Sequence, residues 1–206
     1  GTFMLQAQAA AGFRFAGWQT VGSDEIFSTE ALYEGVATQD AGFRAVFAPL
    51  SFELTTRTAA AYKGRTRGDG HYGYGSHVTV TALPTAGHHL KEWRLSVAGS
   101  TDVATATGNP YTFTLTGETT AEAVFDTNTY TLQFENRNPD LGSATMTIDG
   151  RTQDAGSSAA VIHNGKATFA ANPKDEAHYR FAHFADRSGR KIGTANPWTA
   201  TVTSDT

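Results

Sequence analysis

The chain has 206 residues, no cysteine and a formal net charge of −4 at pH 7, and only 17% of its residues are charged. Without cysteine it forms no disulfide, thiolate metal site or cysteine nucleophile, and no apolar run reaches the roughly 18 residues that a membrane helix needs. The negative charge argues against a general nucleic-acid binder, because such proteins neutralise phosphates with a basic face. Ala and Thr make up nearly a third of the chain, which is typical of short strands and tight turns.

Residues 1–49 are interpreted as a partial repeat unit, called here the first repeat. The segment Ala11–Trp18 introduces a motif that returns twice further along the chain. Residues Ser23 to Glu34 predict a short helix, with Ser23 as its N-cap. The sequence Ala45-Val46-Phe47 closes the unit.

Residues 50–126 are interpreted as a complete repeat unit, the middle repeat. Strict alternation of apolar and polar side chains predicts half-buried strands at Val78–Ala82 and at Tyr111–Thr116. Asp69-Gly70 and Asn109-Pro110 are typical turn sequences. We expect five or six short strands in a complete unit, with Trp93 closing the core of a small sheet.

Residues 127–206 are interpreted as a nearly complete unit that lacks its last strand, the last repeat. Alternation predicts strands at Tyr130–Phe134 and at Ala144–Ile148. Asp149-Gly150 follows the second of these strands and predicts a tight hairpin turn.

Internal repetition supports this division. Ala11–Trp18 aligns with Ala86–Trp93 and with Ala177–Phe184, where Phe replaces the final Trp. Asn109–Thr116 aligns with Asn196–Thr203. The copies lie about 75 to 90 residues apart, which is long for a stacked solenoid and suits small domains in series. The chain is therefore predicted to be a tandem array.

Each terminal unit is expected to lack part of this pattern. The first repeat begins at the equivalent of the Val78–Ala82 strand, and the last repeat stops before an equivalent of Ala121–Phe125. We expect a fragment of a longer array. The alternative is that terminal pieces complete each other between neighbouring molecules, because open strand edges attract further strands.

The middle repeat resembles a known family. The pattern Gly-x-Tyr-x-Tyr-Gly-Ser-x-Val-Thr-x-Thr-Ala-x-Pro-x-x-Gly runs from Gly70 to Gly87, and it is followed by Trp93, by Asn109–Thr116 and by an Ala-Val-Phe closure. This is similar to the divergent internalin-type B-repeat of bacterial surface proteins. The resemblance implies an all-β fold of tandem small β-sandwich or β-grasp-like domains. It also implies an extracellular or cell-surface location, and a non-catalytic role as spacer or adhesive module.

The expected structural core consists of the large rings at recurring strand positions. Units of this size bury little apolar area, so each ring contributes a large share of the stability. These core residues are Trp18, Phe47, Trp93, Phe113, Phe125 and Phe184.

Two surface features are candidate binding sites in the middle repeat. Arg67-Gly68-Asp69 is a candidate integrin ligand if a turn displays it, although a turn alone is the favoured explanation of Asp69-Gly70. Tyr72 and Tyr74 alternate with a glycine, so both rings could lie on one face and contact a sugar. Core packing is the favoured alternative for both tyrosines.

No pattern predicts a catalytic site, a metal site or a cofactor. The seven histidines form no His-x-His or His-Glu-x-x-His motif. Gly73–His77 resembles a nucleophile elbow only superficially, because no helix is predicted after it.

The sequence therefore predicts a non-catalytic repeat region of a bacterial cell-surface or secreted protein. The alternatives are a carbohydrate- or host-matrix-binding module, or accessory repeats of a large secreted enzyme. Expected partners are a host glycan or extracellular matrix protein and the neighbouring repeats of the parent chain, with no nucleic acid and no membrane insertion.

Overall fold

The structure, a computed structural model, describes residues 1–204. Within this range it contains 21 strands and no helix, which confirms the all-β prediction. The chain divides into two compact units, the first made of Gly1–Leu83 with Leu90–Val124 and the second of Pro84–His89 with Phe125–Thr206. Each β-sheet is built from the strands of one repeat, and β13 extends one residue past the boundary at 126.

The first repeat contains two small sheets. One pairs β1 with β4, and the other has the order β3-β2-β5, so β5 has a strand neighbour on one side. The strands are β1 Thr2–Gln6, β2 Phe13–Thr20, β3 Ile26–Ser28, β4 Leu32–Val36 and β5 Phe43–Pro49.

The helix expected over Ser23–Glu34 is wrong, because this segment forms β3 and the start of β4. The Ser23 hydroxyl accepts the Glu25 N–H at 3.2 Å, so its capping ability closes a local turn instead of starting a helix. Ile26 then pairs with β2, as suits a β-branched residue.

The middle repeat is built from eight strands, more than the five or six expected. They form a five-stranded sheet of order β11-β10-β13-β6-β8 and a three-stranded sheet of order β12-β9-β7. In the larger sheet β13 runs parallel to β6. The strands are β6 Ser51–Arg57, β7 Gly64–Arg67, β8 Gly70–Gly73, β9 His77–Pro84, β10 His88–Val97, β11 Val103–Ala106, β12 Tyr111–Thr114 and β13 Thr119–Thr127.

The core of the middle repeat draws buried side chains from both of its sheets, as in a small β-sandwich. Leu54 and Trp93 of the larger sheet and Val80 of the smaller one are fully buried. The predicted alternation in β9 is confirmed, since Val78, Val80 and Ala82 are buried while the threonines between them are less so.

The threonines of β9 lie on the outer face of the smaller sheet. The Thr79 hydroxyl, for example, forms a hydrogen bond with the Thr112 hydroxyl at 2.8 Å. Thr therefore occupies outward cross-strand positions.

The last repeat also has eight strands. They form a four-stranded sheet of order β16-β15-β18-β21 and two pairs, β14 with β17 and β19 with β20. The predicted hairpin at Asp149-Gly150 is confirmed, and both residues have positive φ. The strands are β14 Thr129–Gln133, β15 Gly142–Ile148, β16 Arg151–Asp154, β17 Ser158–Ile162, β18 Lys166–Pro173, β19 Phe184–Ala185, β20 Lys191–Gly193 and β21 Trp198–Thr201.

The Asn-Pro motif has the same structural role in both larger repeats. The side-chain amide of Asn109 donates to the Ala82 carbonyl, and its oxygen accepts the Ala82 N–H, both at 2.9 Å. Asn196 makes the same two bonds to Ala171, at 2.6 and 2.9 Å. The asparagine side chain thus extends the pairing of strands by one peptide unit, which we call the Asn clasp.

The expected core residues lie mostly in the interior. Trp18, Trp93, Phe125 and Phe184 are buried, and Phe113 is half-buried with its ring stacked on Tyr111. Phe47 differs, because 40% of its surface is exposed. It lies on β5, which is an edge strand with β2 as its neighbour.

Residues 205 and 206, at the end of the predicted last repeat, lie outside the described range. Among the described residues no helix could cross a membrane.

Candidate functional site

The Arg67-Gly68-Asp69 tripeptide forms the turn between β7 and β8. One carboxylate oxygen of Asp69 accepts the backbone N–H of Thr56 at 2.7 Å, and the other accepts the Thr56 hydroxyl at 2.8 Å. Thr56 lies in β6, so the carboxylate ties the turn to the neighbouring strand. Both oxygens of Asp69 therefore have a partner within the repeat.

These hydrogen bonds also set the charge of the turn. Partial burial acts to raise the pKa of Asp69, but the hydrogen bonds from Thr56 favour the ionised form and together hold the pKa below its usual value. Asp69 is therefore a charged, hydrogen-bonded structural residue at neutral pH.

The glycine of the tripeptide is packed closely against β9. Gly68 has a φ of +127°, and a Cβ at this position would lie 2.6 Å from the Thr79 carbonyl oxygen. Its own carbonyl accepts the Tyr72 hydroxyl at 3.2 Å. Arg67 and Asp69 both have exposed side chains, although both carboxylate oxygens of Asp69 are hydrogen-bonded to Thr56. The turn is thus fastened on two sides, to β6 through Asp69 and to β9 through Gly68.

The two candidate tyrosines lie in different surroundings. Tyr72 is half-buried in β8, and its hydroxyl is engaged in the turn. Tyr74 follows β8 and keeps 41% of its surface exposed, with its ring near Phe52 at a centroid distance of 6.4 Å and close to Gly12. The two rings do not form a common exposed platform.

A different aromatic residue is the more accessible one. Tyr62, in the connection between β6 and β7, is 74% exposed and lies 5.9 Å from the Lys63 ammonium. Sequence reasoning missed it because a single Tyr in a loop carries no periodic or motif signal.

The histidines are dispersed over the described part of the chain. His178 contacts the Asp175 carboxylate at 2.6 Å, His89 contacts the Asn128 amide oxygen at 2.9 Å, and His163 contacts the Tyr130 hydroxyl at 3.3 Å. Among residues 1–204, no three His, Asp or Glu side chains are grouped as metal ligands would be.

One surface depression, with a volume of about 380 Å³, lies in the first compact unit. It is open to solvent, and its ionisable groups are the carboxylates of Glu53 and Glu118. Ligand sites are usually concave, largely apolar pockets with a few convergent polar groups. This depression has neither the enclosure nor the apolar lining of such a site.

The comparison with known families gives a match in the middle repeat. Residues 54–129 match the family model described as the divergent InlB B-repeat domain. The middle repeat is therefore similar to this family, and the match covers less than half of the chain. No curated protein and no solved structure matches the chain.

The matched range of the B-repeat begins within β6 and ends at the first residue of β14. It therefore contains both sheets of the middle repeat. The resemblance seen in the sequence is confirmed for this part of the chain.

The structure also shows residues that the motif search did not select. Leu50 is the one residue between β5 and β6, and Asn128 is the one residue between β13 and β14. Neither position belongs to a periodic pattern, so no local signal marks it.

Proposed function

We propose that the chain is a non-catalytic spacer region of a bacterial cell-surface or secreted protein. The observation that carries the proposal is the single-residue connection between consecutive repeats, made by Leu50 and by Asn128. Flexible linkers of several Gly or Ser residues let domains move independently, whereas one residue between two strands leaves few rotatable bonds. A connection of this kind suits a region whose role is to set a distance.

The candidate sites support this proposal over an adhesive role. Asp69 and Tyr72 use their polar groups inside the repeat, and the open polar depression lacks the form of a ligand pocket. The family match supports an extracellular location, which is part of the proposal.

The second candidate function is adhesion to a host glycan or matrix protein. The exposed ring of Tyr62 and the exposed guanidinium of Arg67 favour it, because aromatic rings and arginine are frequent anchors of binding surfaces.

A binding screen of the intact chain against glycans and matrix proteins separates the two functions. The spacer proposal expects no binding above that of an unrelated domain. Binding that disappears in Arg67→Ala or Tyr62→Ala would overturn it in favour of adhesion. These two side chains are exposed, so the variants keep the fold, whereas Asp69→Ala would disturb the turn and confuse the result.

A further inference from the structure

Two places in the chain, one inside each compact unit, share an unusual arrangement that we call the joint. In the first joint the Leu50 N–H donates to the Gly12 carbonyl at 2.7 Å, and the Leu50 carbonyl accepts the Tyr74 N–H at 3.0 Å. In the second joint the Asn128 N–H donates to the Gly87 carbonyl at 2.8 Å, and the Asn128 carbonyl accepts the His163 N–H at 2.8 Å. The connecting residue is thus held by the backbone on both sides.

Each joint also places a ring against a glycine. A Cβ added to Gly12 would lie 2.5 Å from the Tyr74 ring, and one added to Gly87 would collide with the His163 ring. The two glycines have φ values of +84° and +79°, a left-handed conformation that suits glycine. Both the backbone conformation and the contact therefore require a residue without a side chain.

The two joints are equivalent in the architecture of the repeats. Gly12 and Gly87 occupy the same position of the motif that aligns Ala11–Trp18 with Ala86–Trp93. Tyr74 and His163 are the residues that directly follow β8 and β17, and these strands pair in the same way with β6 and β14.

The supporting ring is equivalent as well. Phe52 lies beside Tyr74 with a centroid distance of 6.4 Å, and Tyr130 lies beside His163 at 5.9 Å. The same geometry thus arises from different side chains, Tyr with Phe in one joint and His with Tyr in the other. A packing accident would not keep the glycine, the connecting residue and both ring positions together twice.

We propose that the Ala-Gly turn of a repeat is a docking surface, and that its partner is the following repeat of the same chain. The following repeat supplies a planar ring after its β8-type strand, and the connecting residue is clamped between turn and ring. This inference does not depend on whether the array is a spacer or an adhesive, because it concerns the connection alone.

The last repeat carries a different turn at this place. His178 aligns with Gly12 and Gly87, has no left-handed φ, and directs its ring to the Asp175 carboxylate at 2.6 Å. A side chain therefore occupies the position that the glycines leave open. The docking surface is a property of the first and middle repeats.

Amide hydrogen exchange on the intact chain tests the proposal at the second joint. The reporting protons are the N–H groups of Asn128 and His163, because they form the two joint hydrogen bonds. In Gly87→Ala we expect both to exchange at least about tenfold faster than in the unmodified chain, while the strands keep their protection. The matched control is Gly99→Ala, since Gly99 has a φ of +80° and no atom within 4 Å of an added Cβ. It imposes the same backbone strain without the ring contact and should leave the two amides protected.

Two ring variants keep the test decisive if Gly87→Ala loosens the whole repeat. His163→Ala removes the ring without straining the turn and should accelerate exchange at Asn128. His163→Tyr restores the ring of the first joint and should keep the slow exchange. Equal exchange at Asn128 and His163 in Gly87→Ala and Gly99→Ala, or full protection in His163→Ala, would overturn the proposal.

Discussion

In the middle repeat, β10 places Trp93 opposite Ala106, and the indole is fully buried. At the same place in the last repeat, β19 places Phe184 opposite Gly193, with 8% of its surface exposed. The smaller ring of Phe184 is surrounded by Phe169, Phe181 and Trp198, whose centroids lie between 4.6 and 5.9 Å from it. One repeat closes its core with a single large ring, and the other with a cluster of rings.

The comparison shows what this position requires. Within the described residues the indole N–H of Trp93 has no hydrogen-bond partner, whereas that of Trp18 donates to the Glu30 carbonyl at 3.0 Å. An unpartnered buried donor costs free energy. The position therefore requires the apolar ring and not the N–H, which explains why Phe serves in the last repeat.

The largest effect is expected from Trp93→Ala. Removal of a fully buried ring lowers the free energy of unfolding by about 4 kcal/mol, which a repeat of this size cannot absorb. The middle repeat should lose its protection in amide exchange and its cooperative thermal transition. A melting curve equal to that of the unmodified chain would contradict the core position of Trp93.

The Asn clasps should differ in strength between the two repeats. Asn109→Ala leaves the N–H and carbonyl of Ala82 without partners at a residue that is 2% exposed, so we expect a loss of about 2 kcal/mol. In Asn196→Ala the partner Ala171 is half-buried and water replaces the lost bonds, so the loss should be about 1 kcal/mol. Urea unfolding measures both variants. Equal losses of unfolding free energy in the two variants would show that burial of the partner alanine does not determine how much the Asn clasp stabilises the fold.

A smaller effect is expected from Trp93→Phe. The variant introduces the ring of the last repeat and removes the unpartnered N–H, so the remaining loss of buried area should cost only about 1 kcal/mol. If Trp93→Phe destabilises the repeat as much as Trp93→Ala, the indole N–H has a partner that this account does not include.

The smallest effect is the loss of stability that we expect at acidic pH, as two carboxylates become protonated. Folding lowers the pKa of Asp69, so its hydrogen bonds stabilise the fold above the usual value of 3.8 and are lost as pH falls through the lower folded value. Hydrogen bonds from Ser188 and Arg190 lower the pKa of Asp186 to about 2, so the loop of the last repeat should follow the same course between about pH 4 and 2. NMR titration of the two carboxylates measures this directly. Midpoints at or above 3.8 would contradict both assignments.

Much of the fold could be read from local patterns in the sequence. Alternation located β9, β14 and β15, and Asp149-Gly150 located the hairpin turn between β15 and β16, because these signals depend on neighbouring residues. The expected helix at Ser23 failed because capping residues also close turns, and the pairing of Ile26 with β2 decided the outcome.

The candidate site was less accessible to sequence reasoning. The partner of Asp69 lies 13 residues away in another strand, and the ring of Tyr74 meets a glycine of a different repeat. Such contacts depend on the register of strands and on tertiary packing, which a motif does not contain. The Arg67-Gly68-Asp69 tripeptide therefore resembled a ligand in the sequence, although the structure uses its last two residues to fasten a turn.

The central claim is that consecutive repeats are connected by docking and not by a flexible link. The chain has no cysteine, so spin labels attach cleanly at Glu34→Cys and Thr105→Cys, two exposed sites on either side of the first joint within one compact unit. Pulsed electron–electron double resonance should give one narrow distance distribution, which Gly12→Ala broadens and Gly99→Ala leaves unchanged. A broad distribution in the chain without either glycine substitution would contradict the account.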